Sequence, residues 1–355
     1  MRCSKALADT IRVGAAYAGT VIGAGFASGQ EIVQFFASFG KAGLAGIAVA
    51  TILFAWLGGR LLELGYRLRA TAYHQAIYHV CGRRAALVLD VLTALFLFVM
   101  LSVMLAGIAT VGRDYLGLPF YLGLAVAGAV VAVTVLGGIR GVAVANMAIA
   151  PLLIAAIAVV GLYSLAYHAA DPGLGAAPPA PASQSAPHWL LATLIYVSYN
   201  LTVGSTILVP LGSTIPHYAS RVGGGVLGGL ILGGLAAFIT LIVMLHHPAS
   251  LTQEVPILEI ASRQHPLSSI IYAAILLAAM YTTALASLYG CAGKTAAATG
   301  LHPALAAVVV AAAAAICGQF GFAKLIKMIF PIFGYATLWF TARLAWLSIR
   351  DSRWR

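Results

Sequence analysis

Charged residues are almost missing from ten long stretches of this chain, and that gap constrains the fold more than any motif does. A bilayer core needs about 20 predominantly apolar residues per helix. Reading between charged and Pro/Gly punctuation gives ten such segments, at roughly 11–39, 42–66, 85–112, 119–137, 141–168, 188–216, 222–246, 267–294, 302–318 and 322–349. Only 8% of the 355 residues are charged and 62% are hydrophobic, against roughly 25% charged in an average soluble domain. In water such a chain would expose far too much apolar surface. The expectation is an all-α integral membrane protein with ten transmembrane helices.

An even count puts both ends on one side of the membrane, and Lys and Arg test that count. Fifteen of the 20 fall on the side of the termini, and five (Lys41, Arg113, Arg263, Lys324 and Lys327) on the other. The bias predicts a multi-pass protein of the cell inner (plasma) membrane with both termini cytoplasmic. The net charge of +11 then reads as topology and headgroup contact. No basic cluster is interleaved with aromatics, so the lipid bilayer and a small-molecule substrate are the expected partners, and nucleic acid is not. The oligomeric state stays open.

Cys3, Cys81, Cys291 and Cys317 have neither metal-ligand nor redox spacing and read as free thiols. The sequence lacks G-x-S-x-G, H-E-x-x-H and G-x-x-x-x-G-K-[ST]. An enzyme or a self-contained ATP-driven pump is therefore not expected.

One long low-complexity segment, "AADPGLGAAPPAPASQSAPH", follows the fifth span. It reads as a disordered or extended extracellular linker over 169–187, joining helices 1–5 (residues 1–168) to helices 6–10 (residues 188–355). With an odd number of spans per half, the second half must be inverted relative to the first. A second stretch on that side contains "EVPILEIA", which fits a short surface helix capping an entrance or an ordered loop equally well.

The first span of each half carries a mid-membrane cluster of weak helix formers. Span one reads "AAYAGTVIGAGFASGQ" and span six "LIYVSYNLTVGSTILVP". Glycine loses the most backbone freedom in a helix. Unpaired backbone at membrane depth is tolerated where it lines a cavity. Both spans are therefore expected to unwind, near Gly23 and Gly25 and near Asn200 and Ser205. Amides of residues 25–28 would favour an anion such as a carboxylate, and carbonyls at the preceding helix end a cation. For Gly14, Gly19 and the glycine-rich seventh span, close helix packing is the better reading.

The stretch "AYAGTVIGAGFASGQEIVQFF" resembles the signature of the YkvI-like membrane proteins, placed among amino acid permeases of the amino acid–polyamine–organocation superfamily. The resemblance implies a LeuT-type fold, two inverted five-helix repeats and substrate binding where helices 1 and 6 unwind. It is similar, more distantly, to sodium-coupled symporters of that fold. That similarity implies a sodium ion held by carbonyls of Gly19, Ile22 and Ala279 and hydroxyls of Thr282 and Thr283, the last three in "AMYTT". Symporters with a second sodium place Asn after the second glycine of the motif. Phe26 stands there instead, so no second sodium is expected and Phe26 packs against substrate or closes the pocket.

The expected substrate-binding residues are Gly23, Ala24, Gly25, Phe26, Ala27 and Ser28 of span one and Tyr199, Asn200, Thr202, Gly204 and Ser205 of span six. Phe96 and Met100 join them from span three. Glu31 has three readings: an extracellular gate with Lys324 or Lys327, a carrier of the coupling proton, or a helix-end cap. Glu63 and Asp90, near arginines at the cytoplasmic rim, read as solvated ion pairs. The functional expectation is a secondary active transporter of a small zwitterion, a neutral amino acid, coupled to sodium or protons. The alternative is a non-transporting receptor using the same pocket.

Overall fold

Small residues decide how these helices meet. In a bilayer, close backbone approach replaces the hydrophobic drive as the main source of helix association. The computed structural model describes residues 2–137, 142–168, 184–246 and 253–350. The described residues form α1 (Arg2–Val21), α2 (Ala24–Ser28), α3 (Gln30–Phe35), α4 (Lys41–Leu68), α5 (Tyr73–Cys81), α6 (Arg83–Leu116) and α7 (Phe120–Gly137). They continue with α8 (Val142–His168), α9 (Trp189–Thr214), α10 (Tyr218–Leu245), α11 (Pro256–Gln264), α12 (Pro266–Thr299), α13 (Pro303–Gly318) and α14 (Phe322–Arg350). Among the described residues, eight helices are long and apolar enough to cross a membrane. The other two expected spans correspond to the broken run α1–α3 and to α13, which has 16 residues.

One group of helices consists of α1, α4, α9 and α10. The glycine-rich face of α10 is its seam. Gly224 faces Val13, Gly228 faces Tyr17, and a methyl built on Gly229 would lie 2.7 Å from Ala55 Cα. Gly14 meets Leu227 of α10, and Gly19 meets Ala150 of α8. These glycines are packing residues, as expected. A second group gathers around α6 and α12, with α7, α8 and α13 against them. There Thr134 Oγ1 and Tyr281 Oη are 2.6 Å apart.

Span one breaks as expected, with residues 22 and 23 outside any helix. Span six does not: α9 runs through the expected gap as one 26-residue helix. The reason lies in its polar side chains. Thr202 Oγ1 donates to Ser198 O at 2.9 Å, Ser205 Oγ to Thr202 O at 2.6 Å, and Asn200 Nδ2 to Tyr196 O at 3.0 Å. Polar groups that bond their own helix need no unwound backbone. Within its quoted stretch span six also has one glycine, Gly204, where that of span one has Gly19, Gly23, Gly25 and Gly29.

The stretch after span seven contains a helix, α11, with Ile257, Leu258, Ile260 and Ala261 buried. Most of the linker, residues 169–183, lies outside the described residues. Its end does not hang free: Gln184 Nε2 donates to Ser38 O and Ser185 N to Gln34 O, both at 3.1 Å. Cys81, Cys291 and Cys317 are free thiols; the side chain of Cys3 lies outside the described residues.

Asp90 is a solvated pair, bonded by Lys294 at 2.6 Å with more than half of its side chain exposed. Glu63 differs from expectation. It is buried, and it pairs with Arg67 at 2.7 Å and with the equally buried Arg221 at 2.8 Å. Arg221 comes from α10, so no local pattern near Glu63 could place it there.

Candidate functional site

The site is built around the break. Ile22 N–H bonds Ala18 O at 2.8 Å, but Gly23 N–H turns back to Val21 O at 2.9 Å. Gly19 O thereby loses the donor that a continuing helix would supply four residues later. Ile22 O likewise receives no hydrogen bond from Phe26 N among the described residues. Gly23 is extended, and a methyl built on it meets no atom of the described residues within 4 Å. Open space therefore adjoins the break.

Beyond the break the chain makes two short helical turns. Gly29, with φ +83°, separates α2 from α3 in the left-handed region, which a residue with a Cβ enters at a cost. The turn swings Glu31 back over Gly25, where a methyl group would collide with Glu31 Oε1. Tyr199 Oη donates to Glu31 Oε2 at 2.8 Å. Glu31 is 6% exposed. Lys324 and Lys327 are exposed, Lys324 lying over the Phe320 ring at 5.8 Å. Among the described residues no ion pair joins Glu31 to either lysine. Glu31 stands in the first turn of α3, lies over the first turn of α2 and bonds Tyr199 of α9.

The expected anion site at the amides of residues 25–28 also changes. Ala27 N bonds Gly23 O within the short helix, and the carboxylate that lies over Gly25 belongs to Glu31. Ala24, Gly25, Phe26, Ala27 and Ser28 are all buried. Ser28 Oγ donates to Gly25 O at 2.7 Å, and Ala27 O accepts from Tyr272 Oη of α12 at 2.6 Å.

Tyr199 sits inside an aromatic cluster. Its ring centroid lies 6.1 Å from that of Phe96, 5.4 Å from Phe330, 5.8 Å from Phe35 and 5.5 Å from Tyr196. Phe96 stacks on Phe333 at 4.1 Å. The structure thus joins Phe96 to Tyr199 as expected. Met100 is partly buried and packs on the core. Asn200, Thr202 and Ser205 are spent on their own helix, and Gly204 faces Tyr17 and Leu208. Sequence reading missed Phe35, Tyr196, Phe330 and Phe333. The run "IFPIF" in the last span was the visible signal for two of them.

The five residues of the implied sodium site lie on two elements. Gly19 and Ile22 flank the break. Ala279 and Thr282 are buried on α12, and Thr283 is half-buried. Thr282 Oγ1 donates to Ala278 O at 3.1 Å and to Ala279 O at 3.2 Å. α12 packs on α2, and α1 packs on α10 and α9.

A separate cavity of about 500 Å³ opens between the end of α6 and α11, lined by Arg113, Asp114, Tyr115, Glu254, Leu258 and Glu259 among others. Its carboxylates already have partners. Asp114 pairs with Arg113 at 2.8 Å, Glu259 with Arg263 at 3.0 Å, and Glu254 accepts from Thr110 Oγ1 at 3.1 Å.

A broken first span, a helical cap after span seven and two helix groups define the class: an all-helical membrane protein with the LeuT-type fold. Solved structures share it at low sequence identity. MhsT in complex with L-phenylalanine superposes with TM-score 0.66 at 17% identity, over 97% of this chain and 93% of that one. Inward-facing Mhp1 gives 0.65 at 18%, over 98% and 77%. A manganese transporter of Eremococcus coleocola gives 0.58 at 18%, over 96% and 81%.

Two curated proteins of Bacillus subtilis (strain 168) are similar to this chain. The chain is 28% identical over 333 residues to the uncharacterized membrane protein YkvI of Bacillus subtilis (strain 168), covering 92% of this chain and 93% of that protein. It is 27% identical to the uncharacterized protein YyaD of the same strain, over 95% and 96%. No protein-family model matches.

Proposed function

We propose that this chain is a secondary active transporter of a small organic solute bearing an ammonium group, coupled to sodium by alternating access. One observation carries the reading: at the break, the Gly19 and Ile22 carbonyls lack helical donors beside the open space at Gly23. Carbonyls at membrane depth without hydrogen-bond donors are costly unless a cation or a ligand donor meets them. The solved relatives of the fold described above are transporters, one of them holding L-phenylalanine. A neutral amino acid is accordingly the first solute to try.

In this reading sodium travels as a co-substrate. Gly19, Ile22 and Ala279 supply carbonyl oxygens, and Thr282 and Thr283 supply hydroxyls. Five neutral oxygens suit a hard monovalent cation. Gly23, Phe26, Tyr199 and Phe96 form the wall that the solute meets. The helices 1–5 and 6–10 act as inverted repeats, with both termini in the cytoplasm and the α11 cap outside.

Uptake into proteoliposomes tests the reading. Radiolabelled amines and neutral amino acids should accumulate under an inward sodium gradient and exchange in counterflow. Saturable binding without flux would make the chain a receptor; no binding and no flux would end the proposal.

A further inference from the structure

Resting on that transporter reading, we infer that Glu31 is the counter-charge for the solute's ammonium group, and that the preferred solute is an amine without a carboxylate beside that ammonium.

The argument starts from the carboxylate's surroundings. Glu31 is 6% exposed, and among the described residues no Lys, Arg or His forms an ion pair with it. A buried carboxylate without a cation is expensive. Tyr199 satisfies one oxygen at 2.8 Å. The other oxygen lies over Gly25, two residues from the open space at Gly23.

Two further features select the chemistry of the cation. Among the described residues the Tyr196 hydroxyl, buried beside the Tyr199 ring, makes no hydrogen bond of good geometry, with the Asn200 side chain near it. It can accept a hydrogen bond from an ammonium. Phe96 and Phe330 pack on the ring of Tyr199, the carboxylate's hydrogen-bond partner, and aromatic faces attract organic ammonium ions.

The same geometry disfavours a zwitterion. Its carboxylate would have to sit at the helical turn that Glu31 already covers, so two carboxylates would share one place. Like charges that close repel strongly in a low-dielectric site.

The test uses the purified full-length protein and three ligands on one scaffold: phenethylamine, phenylalanine and phenylpropionate. Binding is read by calorimetry and by thermal shift. Phenethylamine is expected to bind tightest, with phenylpropionate silent. Glu31→Gln should weaken phenethylamine roughly thirtyfold or more, and Glu31→Asp should retain part of the affinity. The wild-type ranking alone decides the matter if Glu31→Gln does not fold. Phenylalanine binding tighter than phenethylamine, or unchanged phenethylamine affinity in a folded Glu31→Gln, would overturn the inference. Flux in proteoliposomes separates the two readings. Phenylalanine uptake that phenethylamine does not inhibit leaves a transporter and sinks the counter-charge. Glu31-dependent phenethylamine binding without any flux keeps the counter-charge and sinks the transporter.

Discussion

Arg221 Nε lies 2.8 Å from Glu63 Oε2, both side chains buried, and this pair ties the start of α10 to the end of α4. Arg221 also donates from Nη1 to Ile215 O at 2.6 Å and Pro216 O at 3.0 Å, and its guanidinium lies 3.7 Å from the Tyr66 ring centroid. One side chain thus closes the turn between α9 and α10 and clamps α4. Removing one partner leaves the other charged and buried. Glu63→Ala should lower stability by about 3–5 kcal/mol, read as a large drop in Tm of the detergent-purified protein. Glu63→Ala combined with Arg221→Met should cost less than Glu63→Ala alone; a double variant as unstable as the sum of the singles would count against the clamp.

Gly23 and Gly25 should respond oppositely to the same change. A methyl at Gly23 enters open space at a φ of −102° that alanine accepts; at Gly25 it strikes Glu31 Oε1. Gly23→Ala should fold with near-native Tm, whereas Gly25→Ala should lose roughly 1–3 kcal/mol. Equal Tm values for the two variants would contradict the placement of Glu31.

Gly29 combines a left-handed backbone with a close neighbour. Its φ is +83°, and a methyl there would lie 2.9 Å from Ile257 Cγ1 of α11. Gly29→Ala should destabilise by about 1–3 kcal/mol. Adding Ile257→Ala should recover the steric part only, which thermal unfolding of the single and double variants can resolve.

Thr282→Ala with Thr283→Ala removes both hydroxyls assigned to sodium. If the assignment holds, sodium raises the Tm of the wild type by mass action and leaves that of the double variant unmoved. A sodium-dependent shift that survives the double change would remove the ion from this place.

The two polar spans explain what could be read from sequence and what could not. The break in span one was legible because its glycines offer no side chain to repair the backbone, so composition and consequence agree. Span six looked similar on paper. Its Thr, Ser and Asn side chains instead bond carbonyls three or four residues back and keep α9 whole. A residue type names the atoms present and leaves open which partner they choose. Glu31 was visible as an anomaly, but its position over Gly25 depends on the Gly29 turn and on Tyr199, 168 residues away in sequence. Glu63 read as a surface ion because its neighbours in sequence are basic; its burial comes from Arg221, brought in by the packing of α10 on α4. The seam of α10 itself needed no distant knowledge, since small residues on one helical face can serve little else.

The corner between α2 and α3 is held from four directions. Ile257 presses on Gly29, Tyr272 bonds Ala27 O at 2.6 Å, Gln34 Nε2 reaches Ala323 O at 3.1 Å, and Ser185 N fastens to Gln34 O at 3.1 Å. Those grips come from segments scattered along the polypeptide, yet they converge on the eight residues 27–34. Such a corner behaves as an anchored pin, held by different neighbours from those that seat α1 against α10. The carboxylate of Glu31 is therefore expected to be a fixed reference point about which the rest of the pathway rearranges.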